Sequence, residues 1–164
     1  MKTIKQVVTF LKETELTLVT AESCTAGQIL ALLGKIEGCG TCLDAGFVVY
    51  SSNAKKRLLA VKQTTIDKYT LTSEEVALEM AKGALEGSSA NVVIATTGIT
   101  GDEPMDDVAP GTVCFAWGIK KQGKLKFTTE TKRFQGSRAR IQINAAKYAL
   151  LMLSTRYLKL INSV

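Results

Sequence analysis

A three-layer α/β/α sandwich around a mixed sheet of about five strands is predicted by three features of the sequence. Short apolar runs alternate with amphipathic helical stretches, a pair of strands joined by a tight turn follows, and a helix with one apolar side closes the chain. With 164 residues, 46% of them apolar, the chain can bury one sizeable core and no second one, so a single domain over 1–164 is expected.

Ile4, Val7, Val8 and Leu11 recur at helical spacing and predict a first helix over about 4–13. Leu16 to Ala21 reads as the first strand. A second helix is predicted from Cys24 to Leu33, where Gly34, Gly38 and Gly40 break the pattern. Gly46 to Tyr50 is an apolar run suited to a buried strand, and Ser51, Ser52 and Asn53 supply cap chemistry for a helix from Ala54 to Leu59. Thr72 and Glu75 stand at capping-box spacing, and Val76, Met80 and Ala84 carry an apolar stripe to about Leu85.

Asn91 to Thr97 reads as a third strand. The segment from Gly98 to Gly111 holds both prolines and four acidic residues and reads as a functional loop. Thr112 to Ile119 and Lys124 to Phe134 flank Lys120-Lys121-Gln122-Gly123 and predict an antiparallel hairpin. A last helix is expected from Ser137 to Tyr157, with Ile141, Ala145, Tyr148, Ala149 and Met152 facing inward.

No apolar run reaches membrane-spanning length, and the charged amphipathic N-terminus lacks the apolar stretch of a signal peptide, so the chain reads as cytoplasmic and complete. A net charge of +6 favours anionic ligands. Its densest basic stretch, 120–140, lacks interleaved aromatic residues, which argues against a nucleic-acid platform; a phosphorylated small molecule would satisfy the same charge. Cys39 and Cys42 form a Cys-Gly-Thr-Cys spacing. A zinc site there would need Cys24 and Cys114 to converge on the pair, and a redox site would need a preceding strand and a following helix, so loop cysteines are the preferred reading.

The chain contains no histidine, which excludes a serine–histidine triad and a cysteine–histidine pair and leaves lysine, tyrosine and carboxylates as bases. Ser23, in Thr20-Ala21-Glu22-Ser23-Cys24-Thr25-Ala26-Gly27, stands at the predicted strand-to-helix turn. Free backbone N–H groups there suit a bound anion or a developing oxyanion; the plain alternative is a helix N-cap. Lys55, on the first turn of a helix just after Tyr50, can point into the same crevice, or it can be a solvated lysine like Lys56. Thr97, Gly98 and Gly101 form a hydroxyl-bearing, flexible strand end able to bind phosphate or an amide, unless they form an ordinary turn. Arg138, at the start of the last helix, can grip a phosphate together with backbone N–H groups, or can face solvent.

Taken with Tyr50-Ser51-Ser52-Asn53-Ala54-Lys55, Ser73-Glu74-Glu75-Val76-Ala77, Thr97-Gly98-Ile99-Thr100-Gly101, Gly111-Thr112-Val113 and Phe134-Gln135-Gly136-Ser137-Arg138, the Ser23 segment resembles the CinA C-terminal domain family over nearly the whole chain. That family includes stand-alone nicotinamide-nucleotide amidases. The resemblance implies hydrolysis of the carboxamide of nicotinamide mononucleotide to nicotinic acid mononucleotide and ammonia, with no metal or organic cofactor. It implies a pyridine nucleotide as the small-molecule partner, no nucleic-acid or membrane partner, and association into a homo-oligomer. Ser23 matches the family nucleophile; Lys55 takes its proton, relayed or oriented by Tyr50; and backbone near Cys24 and Thr25 receives the oxyanion. Thr97 matches the threonine–glycine position and Arg138 the arginine before the last helix.

One stretch departs from the family. Where its amidases carry a proline, several glycines and lysine-proline-valine-glycine, this chain has Asp102-Glu103-Pro104-Met105-Asp106-Asp107-Val108-Ala109-Pro110-Gly111. Four carboxylates near a phosphate site would repel the substrate unless they point to solvent. An amidase with a shifted substrate, and a nucleotide-binding paralogue without turnover, are the alternative readings.

Overall fold

The structure, a computed structural model, describes residues 1–162. A five-stranded sheet carries β1 (Leu18–Glu22), β2 (Leu43–Val48), β3 (Val92–Gly98), β4 (Thr112–Lys121) and β5 (Lys124–Arg133) in the order β2-β1-β3-β4-β5. β1 runs parallel to both β2 and β3, whereas β4 is antiparallel to β3 and β5. All five residues of β1 are buried, as a central strand covered on both faces requires.

Alternation along the strands sorts the core into two clusters. Leu18, Val92, Ile94, Phe115 and Trp117 face α1 (Ile4–Glu13), α2 (Gln28–Gly34), α6 (Arg138–Leu151) and α7 (Leu153–Asn162). Val19, Ala21, Val93, Ala95 and Ala116 face α3 (Ser52–Leu59), α4 (Gln63–Tyr69) and α5 (Glu74–Glu86). The predicted three-layer mixed α/β/α architecture is therefore the observed one. The chain leaves β1 toward one face, into α2, and leaves β2 toward the other, into α3. Neighbouring strands whose connections diverge in this way open a crevice beyond their carboxyl ends.

The differences from the sequence expectations are local. Strand β2 begins at Leu43 and ends at Val48, so Tyr50 lies beyond it. Helix α5 is capped by Ser73, whose hydroxyl accepts from Val76 N–H at 3.3 Å; Thr72 is not the cap. The predicted last helix is two helices, α6 and α7, divided at Met152, with no glycine or proline at the break. Helix α4 was not anticipated: its seven residues, Gln63–Tyr69, bury none of their number fully and show no apolar stripe. Most consequential for the site, α2 begins at Gln28 and not at Cys24, so Ser23 sits in an irregular turn ahead of the helix and does not cap it.

Candidate active site

Ser23 is the first residue past β1, and the alternation of the strand carries its side chain to the face opposite Glu22. Its N–H donates to Thr96 O at 3.0 Å, which ties the turn to the end of β3. Lys55 approaches from α3, a helix capped by the Ser51 hydroxyl, which accepts from Ala54 N–H at 3.0 Å. Lys55 and Leu59 lie four residues apart and share the buried side of α3, while Arg57 is exposed. Helix α3 lies close against α5 because Gly83 has no side chain: a Cβ there would meet Leu59 O at 2.1 Å.

Lys55 is 2% exposed, and its amine donates to Ser23 Oγ at 2.8 Å, Val49 O at 3.1 Å and Tyr50 O at 3.3 Å. Burial lowers its pKa from the ordinary lysine value, and the Cys24 sulfur acts in the opposite sense. Burial also pushes the Cys24 thiol up to about 12, with smaller opposing contributions from its backbone hydrogen bond and Lys55. A thiol that stays neutral at pH 7 offers Lys55 no charge, so burial sets the direction of the lysine shift.

The three contacts of Lys55 match either state of the amine. As an ammonium it has three N–H groups for three acceptors. As a free amine it keeps two N–H groups for the carbonyls of Val49 and Tyr50, and its lone pair faces the Ser23 hydroxyl. The second arrangement lets the amine accept the serine proton without moving. In the turn that follows, Ala26 N–H donates to Ser23 O and Gln28 N–H to Thr25 O, while the N–H groups of Cys24 and Thr25 meet no backbone acceptor among the described residues.

A cleft of about 340 Å³ opens over this pair. Ser23, Cys24 and Lys55 form its floor, Thr97 and the segment from Gly98 to Glu103 one wall, and Tyr50, Met105 and Arg138 its mouth. The Thr97 hydroxyl donates to Leu71 O at 2.9 Å, which leaves its oxygen as an acceptor on the cleft wall. Gly98 lets the strand end approach β4, since a Cβ there would lie 2.5 Å from Thr112 O. Gly101 lies beside the Arg138 guanidinium.

The cleft thus gathers Ser23, Cys24, Lys55, Tyr50, Thr97, Gly98, Gly101 and Arg138. Two expectations change in detail. Tyr50 is 56% exposed, and its phenol oxygen accepts a hydrogen bond from Arg138 Nη2, so the part of Tyr50 that holds Lys55 is its main-chain carbonyl. Thr25 does not line the cleft: its hydroxyl donates to Glu22 Oε2 at 2.7 Å and lies 2.8 Å from Thr96 Oγ1. Cys39 and Cys42 are free thiols on a single 3-10 turn between α2 and β2, away from the cleft. Among the described residues no group of three or more histidine, cysteine or acidic side chains is placed to hold a metal, and no helix is long and apolar enough to cross a membrane.

The acidic loop divides. Asp102 and Glu103 line the cleft, whereas Asp106 and Asp107, with φ of 52° and 61°, form the tight turn between Met105 and Val108. Residue-level reading missed Glu22. Its signal is a carboxylate in the last position of a strand that is otherwise apolar apart from threonine.

Fold and cleft together define an α/β domain with a buried serine–lysine pair at the crevice beyond the carboxyl ends of its parallel strands. The chain belongs to the CinA C-terminal domain family, which it matches over residues 1–157. It is 41% identical to protein YdeJ of Escherichia coli over 140 residues, 85% of this chain and 79% of that protein. It is 33% identical to the nicotinamide-nucleotide amidohydrolase PncC of Escherichia coli over 160 residues, 97% of this chain and 95% of that one. The chain also matches a CinA-like protein of Chlorobium phaeobacteroides at 38% identity, of which it spans only 33%. A crystal structure of a CinA superfamily protein from Enterobacter cloacae superposes with a TM-score of 0.85 at 36% identity, covering 94% of this chain and 92% of that one.

Proposed function

We propose that the chain is an amide hydrolase that converts nicotinamide mononucleotide to nicotinic acid mononucleotide and ammonia, with Ser23 as nucleophile and Lys55 as general base. In this reading it acts in the cytoplasm, on a soluble nucleotide, as a homo-oligomer. The observation that carries the reading is the 2.8 Å contact between Lys55 Nζ and Ser23 Oγ, both groups buried beneath an open cleft.

The chemistry follows from the donor count. Free-amine Lys55 takes the Ser23 proton as Oγ bonds to the carboxamide carbon, and the carbonyl electron pair moves onto oxygen. In this reading the N–H of Cys24, on the cleft floor, donates to that oxyanion, a contact worth about 3–4 kcal/mol where such a donor has been removed elsewhere. The Lys55 ammonium then protonates the departing nitrogen, the C–N bond breaks and ammonia leaves. Water attacks the acyl-serine, gives its proton to Lys55 and releases the acid; Ser23 regains its proton. In this reading the Thr97 oxygen accepts from the carboxamide N–H, and Arg138 with the α6 N-terminus holds the phosphate; their positions in the cleft support it.

Asp102 and Glu103 on the cleft wall favour a second reading, an amidase whose substrate carries less negative charge than a mononucleotide. Ammonia release by the purified protein from nicotinamide mononucleotide, nicotinamide riboside and nicotinamide adenine dinucleotide decides between the two. Turnover of the mononucleotide above the riboside is expected. A preference for the riboside favours the second reading, and no release from any of the three rejects both.

A further inference from the structure

Glu22 is 0% exposed, and its carboxylate, charged or not, must be satisfied by the protein. Oε2 accepts from Thr25 Oγ1 at 2.7 Å and from Ile29 N–H at 3.0 Å, and Oε1 accepts from Leu30 N–H at 3.1 Å. The last two donors belong to the first turn of α2, whose N-cap, Gly27, has no side chain to offer them. Glu22 therefore caps this helix from the preceding strand, across the turn that carries Ser23. Since the Thr25 hydroxyl spends its one proton on the carboxylate, the Thr96 hydroxyl donates to Thr25 in the 2.8 Å pair between them. The backbone of the same residue reaches the other half of the dyad: Val49 N–H donates to Glu22 O at 2.9 Å, and Val49 O accepts from Lys55.

We infer that Glu22 is a positioning residue: from the sheet face opposite the cleft, its buried carboxylate fixes the turn 23–27 so that the Ser23 hydroxyl meets Lys55 and Cys24 stays on the cleft floor. The inference rests on the reading of Ser23 as nucleophile and Lys55 as its base. Nothing in the chemistry asks Glu22 to touch the substrate. Its effect is confined to geometry, so it belongs in kcat and not in KM.

The test uses two readouts on the wild type, Glu22→Ala, Glu22→Gln and Thr25→Val. The first is the rate at which diisopropyl fluorophosphate labels Ser23, followed by mass spectrometry. In that step an Oγ–P bond forms, the P–F bond breaks, fluoride leaves and the serine proton passes to Lys55. The second is the split of kcat from KM on nicotinamide mononucleotide, well below each variant's melting temperature. For Glu22→Ala, labelling and kcat should fall by about a hundredfold with KM little changed, since misplacing a reacting group by an ångström costs about that much. Glu22→Gln can keep the two bonds made at Oε2 and should lose about tenfold. Thr25→Val removes only the hydroxyl and should also slow labelling about tenfold, which carries the test if Glu22→Ala does not fold. Folded variants that melt lower but label at the wild-type rate overturn the proposal and leave the Ser23–Lys55 reading standing. A wild type that is not labelled at Ser23 removes that reading, and this inference with it.

Discussion

Tyr50 meets Lys55 through its main chain alone: the Tyr50 carbonyl accepts from Lys55 Nζ at 3.3 Å on the cleft floor, while the phenol stands at the mouth with Arg138. Backbone contact and side-chain contact thus serve different parts of the cleft. Tyr50→Phe leaves the carbonyl in place and frees the Arg138 guanidinium, so kcat should stay within a few-fold of wild type while KM rises, the pattern of lost binding and not of lost proton transfer. Steady-state kinetics on nicotinamide mononucleotide check this. A kcat loss of about a hundredfold with KM unchanged would make the phenol a proton relay after all.

Ser23→Ala should abolish turnover and leave the fold intact. Ser23 caps no helix, so the variant loses no capping energy, and Lys55 retains two carbonyl acceptors, enough for a neutral amine. Cys24→Ala is the companion. A thiol with a pKa pushed up to about 12 is neutral at pH 7 and a poor nucleophile, and this variant should keep activity within about tenfold. Ammonia release by both proteins, with melting curves beside it, checks the pair. Activity in Ser23→Ala that disappears in the double variant would transfer the nucleophile to the thiol.

Lys55 governs the pH profile. Only its free amine can accept the Ser23 proton, so activity should rise with pH through its pKa, and burial places that rise below the free lysine value of about 10.4. Stability shares the sign: between the lowered folded pKa and the unfolded one, the unfolded chain binds a proton that the folded chain does not, so stability increases as pH rises through that window. Lys55→Met should lose turnover by at least about a hundredfold, bind nucleotide nearly as well as wild type, and lose the ascending limb of residual activity. Weak binding with normal saturated turnover would instead make Lys55 a phosphate ligand.

Ser23, Lys55 and Arg138 were legible in the sequence because each sits where a local rule applies, at a strand end or in the first turn of a helix. Their neighbours were less so, because their roles depend on partners distant in the chain. Thr25 turns away from the cleft to satisfy the Glu22 carboxylate, which also sets where α2 begins; misplacing that helix start and overlooking Glu22 were one error. The layered architecture followed from strands alternating with helices, whereas the sheet order rests on pairings between strands distant in the chain and was not read from it. The division of α6 from α7 has no glycine or proline to announce it, and α4 has too weak a pattern to be seen.

The acidic loop gives two variants with opposite expectations. Asp106 and Asp107 occupy left-handed positions between Met105 and Val108, whose backbones exchange hydrogen bonds of 3.2 and 2.9 Å. Asparagine accepts that backbone conformation as readily as aspartate, so Asp106→Asn with Asp107→Asn should preserve the turn and leave nucleotide affinity unchanged. Asp102 and Glu103 line the cleft that also holds Arg138, yet both are exposed, so water screens their repulsion of a bound phosphate. Asp102→Asn with Glu103→Gln should tighten nicotinamide mononucleotide binding by about fivefold at most, the scale of exposed charge pairs, and the gain should shrink as ionic strength rises. Dissociation constants of both double variants at low and high salt provide the comparison. A gain from the first pair matching the second would show that the loop repels only through its overall charge. A gain well above tenfold from Asp102 and Glu103 alone would mean that they face the phosphate site directly, which would count against a mononucleotide as the natural substrate.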